Sequence, residues 1–277
     1  MEKKKATSLD IKEIQNVSFQ ILLLIAEICD KLQLKYVLAY GTLIGAVRHK
    51  GYIPWDDDVD IQMPRPDFEK LVKYFEDNKE ALLPYKLLNR TNTPNYPYLL
   101  TRIIDSRYTL DVKNENPCGM GIFVDIYTMD GAGNSLKDAR NLLSKTKWYV
   151  SCIFLSTRKS LRIDGTKGYM KRCIKPFFYL YVKMKGTNYF INKLHNMIQK
   201  LDYEKSAYIA NLEWDNTNTS AMKKSDIENR VEVSFNGHSF WAPANYHQYL
   251  TSIYGDYMKL PPERDRVYHH LYKAYYK

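Results

Sequence analysis

The run Asp56-Asp57-Asp58-Val59-Asp60-Ile61 limits this chain more than any other stretch. Side chains along a strand alternate between faces, so Asp58 and Asp60 share one face while Val59 and Ile61 enter a core. Two carboxylates held so close repel each other unless a proton or a cation intervenes, and an oxygen-only pair suits Mg²⁺ or Mn²⁺. The alternation recurs in Gly121-Ile122-Phe123-Val124-Asp125-Ile126-Tyr127, where Ile122, Val124 and Ile126 fall together and leave Asp125 on the other face with Phe123 and Tyr127. A lone acid in so apolar a strand requires a reason.

Taken alone, the aspartate cluster also fits a solvated turn or the Asp-x-Asp metal motif of a glycosyltransferase. An EF-hand calcium loop fails, because the sixth position from Asp56 is Ile61 rather than Gly and the twelfth is Asp67 rather than Glu. Gly41-Thr42 follows the strand expected over 36–40 and precedes a short helix expected over 43–48. A Gly and a small hydroxyl residue there let backbone N–H groups and the Thr hydroxyl reach phosphate oxygens. Phosphate turn, paired aspartates and a third acid on a later strand are together the plan of a nucleotidyltransferase fold.

The rest of the chain fits an α/β (α+β) protein with a mixed sheet core. Apolar residues at 11, 14, 17, 21, 24 and 28 have the spacing of an amphipathic helix over 10–33. Pro66 suits the start of a helix whose inner face is Phe68, Leu71, Val72 and Phe75. Strands are expected at 85–89, 98–104, 107–112 and 121–127, with 98–104 and 107–112 joined across Asp105-Ser106. The pattern from about 135 to 202 is helical and basic, with breaks near Asp164-Gly165 and at Pro176. A helix near 245–254 and a last helix opening at Pro262 complete the chain. The expected division is a nucleotidyltransferase-like core over 1–134, a basic helical region over 135–202, and a C-terminal part over 203–277 that completes the active site.

Charge is unevenly spread. Between Lys145 and Lys193 stand twelve Lys or Arg and one acid, Asp164, so the chain's whole net charge of +10 resides in this segment. With aromatic residues interleaved, it could meet nucleic acid, an acidic glycan or a membrane surface, or be a solvated helical face; the amphipathic pattern fits a membrane interface. No nucleic-acid-binding motif supports the first of these. The longest apolar runs, 21–26 and 176–182, are far shorter than the roughly 20 residues of a membrane span. No secretory leader is expected, which points to a cytoplasmic protein, and the four cysteines, lacking any Cys-x-x-Cys pair, are expected to be reduced and to serve packing.

The continuous block from Tyr40 to Ile61 (Tyr-Gly-Thr-Leu-Ile-Gly-Ala-Val-Arg-His-Lys-Gly-Tyr-Ile-Pro-Trp-Asp-Asp-Asp-Val-Asp-Ile) resembles the signature of the LicD family, bacterial relatives of fukutin. Two further blocks agree: residues 121–126, and Tyr254-Gly255-Asp256-Tyr257-Met258 followed by Pro261-Pro262, Arg266 and His269-His270. The resemblance covers about 15–130 and 230–272. Two departures are Phe235-Asn236-Gly237 in place of Phe-Glu-Gly, and Arg102 where Lys is commoner.

The resemblance implies a Mg²⁺-dependent phosphotransferase that moves phosphocholine, or a related phospho-alcohol, from a CDP-alcohol donor to a cell-surface glycan precursor, releasing CMP. The acceptor would be a lipid-linked precursor of teichoic acid, lipopolysaccharide or capsule, at the inner face of the cell membrane. Asp58, Asp60 and Asp125 correspond to the family's metal-binding carboxylates and Asp56 to its leading acid. Gly41, Thr42, Arg48, Arg102 and Arg266 are candidates for donor or phosphate contacts. On a helix opening at Pro262, Arg266, His269 and His270 share a face, which reads as donor or phosphate binding rather than zinc. Rival readings are transfer of phosphoethanolamine, glycerol phosphate or ribitol phosphate, sugar transfer from a nucleotide-sugar, and a non-catalytic basic surface-binding module.

Overall fold

A computed structural model describes residues 8–161, 169–214, 221–267 and 272–277, the backbone alone at 169–172. Helix α1 (Ile11–Leu32) opens on a capping box in which the Asp10 side chain accepts the Glu13 N–H and Glu13 reaches back to the Asp10 N–H. Its apolar stripe, Ile14, Ile21, Leu22, Ile25 and Ile28, is buried. Strand β1 (Val37–Leu38) is followed at once by α2 (Tyr40–Ile44) and a π-helical turn over Gly45–His49. The strand is thus shorter than the alternation implied, and Gly41-Thr42 lies inside a helix rather than in a turn ahead of one. Tyr40, with φ of 47°, makes the break.

Strand β2 (Asp60–Pro64) leads into α3 (Arg65–Asp77), with Pro66 in its first turn. Next come β3 (Tyr85–Leu88), β4 (Thr101–Asp105), β5 (Tyr108–Val112) and the long β6 (Ile122–Gly131). Helices α4 (Leu136–Thr157), α5 (Tyr169–Lys185) and α6 (Thr187–Ile198) precede β7 (Tyr208–Ala210), β8 (Met222–Lys223), α7 (Lys224–Glu228), the hairpin β9 (Val231–Phe235) and β10 (His238–Ala242), α8 (Tyr246–Tyr254) and β11 (Tyr272–Tyr276).

The main sheet runs β1-β2-β6-β4-β3, with β7 and β8 continuing from β6. Among the described residues, only β2 and β6 pair in parallel. Helices α1 and α3 cover one face, where Ile61, Met63, Val124, Ile126 and Ile103 join a single core. The opposite face carries the acids and a cluster of aromatic residues that includes Tyr96, Tyr98, Phe123 and Tyr127. Helices α4 and α6 bury their own apolar set, including Leu143, Ile153, Phe190 and Leu194, alongside β7. Arg65 ties this layer to the sheet: it donates to Asp130 of β6 at 2.7 and 3.0 Å and to Glu213 at 3.1 Å, and Glu213 also faces His195 of α6 at 3.2 Å.

Three expectations are corrected. Strand β5 follows β4 across Ser106-Arg107 but pairs with β11 rather than with β4, which is already bonded on both edges; Ala274 of β11 fits against Leu110. Pro176 does not interrupt α5, which continues through it. No helix opens at Pro262: a 3₁₀ turn spans Glu263–Asp265 and the chain then returns as β11. Among the described residues, no helix is long and apolar enough to cross a membrane.

Candidate active site

The strand register assembles the site. Asp60 on β2 stands opposite Asp125 on β6, and Asp125 stands opposite Arg102 on β4. The three lie in one row across adjacent strands on the face away from α1 and α3. Asp58 sits two residues ahead of β2, outside the strand, yet Asp58, Asp60 and Asp125 each offer a carboxylate oxygen within 4.8 Å of the others. A second such group joins Asp58 to Asp56 and Asp57. Asp57, which alternation alone assigns to the other face, is buried as well.

Backbone bonds fix these acids in place. The Asp60 N–H donates to the Thr42 hydroxyl at 2.9 Å, the Asp60 carbonyl accepts the Ala39 N–H at 3.0 Å, and the Asp125 N–H donates to the Val59 carbonyl at 2.8 Å. From α1, the Gln15 side chain holds the loop by donating to the Asp56 carbonyl at 2.7 Å. Gly41 leaves room for the Asp56 carboxylate: a Cβ on it would lie 2.4 Å from an Asp56 carboxylate oxygen and would push that side chain aside. The Gly41-Thr42 pair therefore seats the acidic loop, with Thr42 buried and its oxygen bonded to the Asp60 backbone.

Asp60 carries the largest burden of neighbouring charge on a buried strand. Burial, and then the charges of Asp58, Asp125 and Asp56, raise its carboxyl well above the ordinary range, while a hydrogen bond from Tyr127 acts in the opposite sense. One of its oxygens, Oδ1, is buried with no hydrogen-bond partner. Such an atom is costly unless something polar fills the space in front of it. Asp125 is served differently: the Arg102 guanidinium donates to both its oxygens, at 2.5 and 3.2 Å. Arg102 is itself 5% exposed and lies between the rings of Tyr98 and Phe123, 4.0 and 3.9 Å from their centroids. With Asp58, Asp60 and Asp125 ionised the three carboxylates carry −3, and Arg102 brings the group to −2, the complement of one divalent cation. The donor set is all oxygen, one oxygen is unsatisfied, and the residues present fit Mg²⁺ or Mn²⁺.

Other residues singled out by the sequence are distributed differently. Arg102 reaches a carboxylate, not open space. Arg48 donates to the carbonyls of Tyr257 and Lys259, at 2.5 and 3.4 Å, and so anchors the segment after α8. Arg266 donates to the Pro261 carbonyl at 2.9 Å and lies 5.7 Å from the Trp55 ring centroid, which places it over the acidic loop's approach rather than on a helical face. His269 and His270 lie outside the described residues. The Phe235-Asn236-Gly237 departure forms the β9–β10 turn, with φ of 48° at Asn236 and 78° at Gly237, and the Asn236 N–H bonds the Lys50 carbonyl at 2.8 Å.

Sequence reasoning missed Tyr127 as a partner of Asp60, although its position two residues after Asp125 puts it on the acidic face. It also missed the Tyr98–Phe123 clamp on Arg102. Beside Arg102, a cavity of about 380 Å³ is lined by Tyr98, Phe123 and Phe154, by Lys113 and Lys175, and by Arg158 paired with Glu115.

Residues 33–129, which contain the whole acidic row, match the family model described as LicD/FKTN/FKRP, nucleotidyltransferase domain. Over that segment the chain is similar to a nucleotidyltransferase domain. Over almost its full length it is 30% identical to the lipopolysaccharide cholinephosphotransferase LicD of Haemophilus influenzae, in an alignment of 276 residues that covers 96% of this chain and 98% of that protein. The chain belongs to the LicD family. Shorter matches, 43% identical over 53 residues and 18% of this chain, are to uncharacterised proteins of Rickettsia typhi and Rickettsia prowazekii, covering 17% and 20% of those proteins.

Proposed function

We propose that this protein is a phosphotransferase of the cytoplasm that moves phosphocholine from CDP-choline to a hydroxyl of a lipid-linked glycan precursor, releasing CMP. The observation that carries the reading is the acidic cluster: Asp58, Asp60 and Asp125 bring carboxylate oxygens within 4.8 Å of one another, and one Asp60 oxygen is buried and unsatisfied. Choice of alcohol and acceptor class rests on the full-length similarity to a lipopolysaccharide cholinephosphotransferase.

Phosphoryl transfer depends on positioning and charge neutralisation more than on covalent protein chemistry. Asp58, Asp60 and Asp125 would hold Mg²⁺, which when bound supplies neutralisation of diphosphate charge. Arg102 fixes the Asp125 carboxylate in one orientation and offsets part of the row's charge. The Tyr127 hydroxyl, bonded to Asp60, sets which oxygen of that carboxylate faces inward. The cavity beside Arg102 offers Lys113 and Lys175 to an acceptor that carries negative charge, its Arg158 being paired with Glu115.

Incubation with Mg²⁺ and a panel of CDP-choline, CDP-ethanolamine, CDP-glycerol, CDP-ribitol and nucleotide-sugars, with nucleotide release as readout, tests this. CMP released from CDP-choline in preference to the others, and abolished by a chelator, is the expected result. Preference for a different CDP-alcohol would replace choline, release from a nucleotide-sugar alone would make the protein a glycosyltransferase, and no release with any donor would leave a binding module.

A further inference from the structure

Helix α5 displays an apolar face to solvent. Ile174, Phe177, Leu180, Tyr181 and Met184 recur at helical spacing and are all exposed, Phe177 to 76% and Met184 to 78%. The helix is not loosely held: Val182 is fully buried, and Lys183 donates to the carbonyls of Ser156 and Arg158 at 2.8 and 2.7 Å. Its inner face is therefore docked on α4, and the outward stripe is a fixed feature of the fold. Ring contacts extend it sideways, from Trp148 of α4 through Phe178 and Tyr181 to Phe190 and Tyr189 of α6, with Trp148 and Tyr189 exposed. Lys185 and Lys193 flank it, 5.3 and 5.9 Å from the Tyr189 ring.

We propose that this face of α5, with Trp148 and Tyr189, is an interfacial docking surface for an anionic lipid bilayer. Charge selects the occupant. From Lys145 to Ile198 the sequence has one acid, Asp164, against twelve Lys or Arg. A second copy docking through the same face would bring Lys185 and Lys193 of one copy against those of the other, with no acid beside them on α5 or α6 to offset the charge, which opposes self-association. Nucleic acid would satisfy the charge but offers nothing to cover Phe177, Leu180 and Met184. An anionic bilayer meets both halves of the surface: headgroups face the lysines, and the acyl boundary takes the apolar side chains, with aromatic rings at the level between. The purpose of this docking, presentation of a lipid-linked acceptor, rests on the function proposed above; the docking itself does not.

Sedimentation with vesicles of phosphatidylglycerol and phosphatidylcholine, or of phosphatidylcholine alone, tests the surface at low and high salt. Wild-type protein is expected to sediment with the anionic vesicles, less so at high salt, with a blue shift of Trp emission that the Trp148→Phe variant lacks. The triple variant Phe177→Ser, Leu180→Ser, Met184→Ser is expected to lose at least about tenfold in partitioning at both salt levels, since each exchange removes apolar area that would enter the bilayer. Its CMP release from CDP-choline should equal that of wild type, so a failed transfer assay and a failed vesicle assay are separable. Wild-type protein that ignores anionic vesicles at low salt, a triple variant that binds like wild type, or a dimer in solution that the triple variant dissolves would each overturn the proposal.

Discussion

Replacing Asp60 by Asn should make the metal-free protein more stable while removing its activity. The carboxylate oxygens of Asp58, Asp60 and Asp125 lie within 4.8 Å of one another, and two unit charges at that distance repel by about 3.5 kcal/mol at an effective dielectric of ~20. Arg102 offsets the charge of Asp125, and the Asp60 carboxyl, raised by burial and by its acidic neighbours, takes up a proton more readily than a free one, which relieves part of the repulsion. The relief from an isosteric amide is therefore about 2 kcal/mol rather than the full Coulomb value. For a chain of 277 residues this corresponds to a Tm higher by ~3 °C, measured by calorimetry in chelator. In Mg²⁺ the ordering should reverse, because wild type gains binding free energy that the variant lacks. Transfer should fall by a factor of about 10² or more, equivalent to about 2.7 kcal/mol of lost transition-state stabilisation. An Asp60→Asn protein that melts below wild type in chelator and still gains stability from Mg²⁺ would refute both the self-repulsion and the ligand role.

Two further outcomes follow from the same row. Arg102→Met strands a buried carboxylate and should cost about 3–5 kcal/mol in denaturant unfolding, most of it recovered in the Arg102→Met, Asp125→Asn double variant; equal destabilisation in single and double variants would mean that packing of the Tyr98–Phe123 clamp dominates. Because folding raises the Asp60 carboxyl, the folded state holds more protons than the unfolded one above the ordinary carboxylate value, and metal-free stability from this group falls as pH rises through the raised range. Cation binding displaces that proton, so the Tm increment from Mg²⁺ should grow with pH and fade on acidification; an increment that is flat with pH in wild type would exclude the coupling.

Much of the site was legible one strand at a time. Alternation in 121–127 and at Asp60-Ile61 reports which side chains share a face, because that property has a period of two residues along a single strand, whereas Asp58 and Asp57 join the cluster from outside β2. Amphipathic spacing likewise gave α1 and the apolar face of α3, since burial of a helical stripe is written locally. Which strand lies beside which is a different matter. The row Asp60, Asp125, Arg102 depends on a parallel pairing of β2 with β6 and an antiparallel one of β4 with β6, chosen by how α1 and α3 pack on the opposite face. For the same reason Arg48 is committed to the carbonyls of Tyr257 and Lys259, and the chain after Pro262 returns as a strand against β5 instead of continuing as a helix. The amino-acid order by itself determined the carboxylates, their faces and the basic, aromatic character of α4 to α6. Only the tertiary structure decided that Arg102 neutralises Asp125 and leaves Asp60 as the buried acid with an open oxygen, because cross-strand register is fixed by contacts between segments that no local period connects.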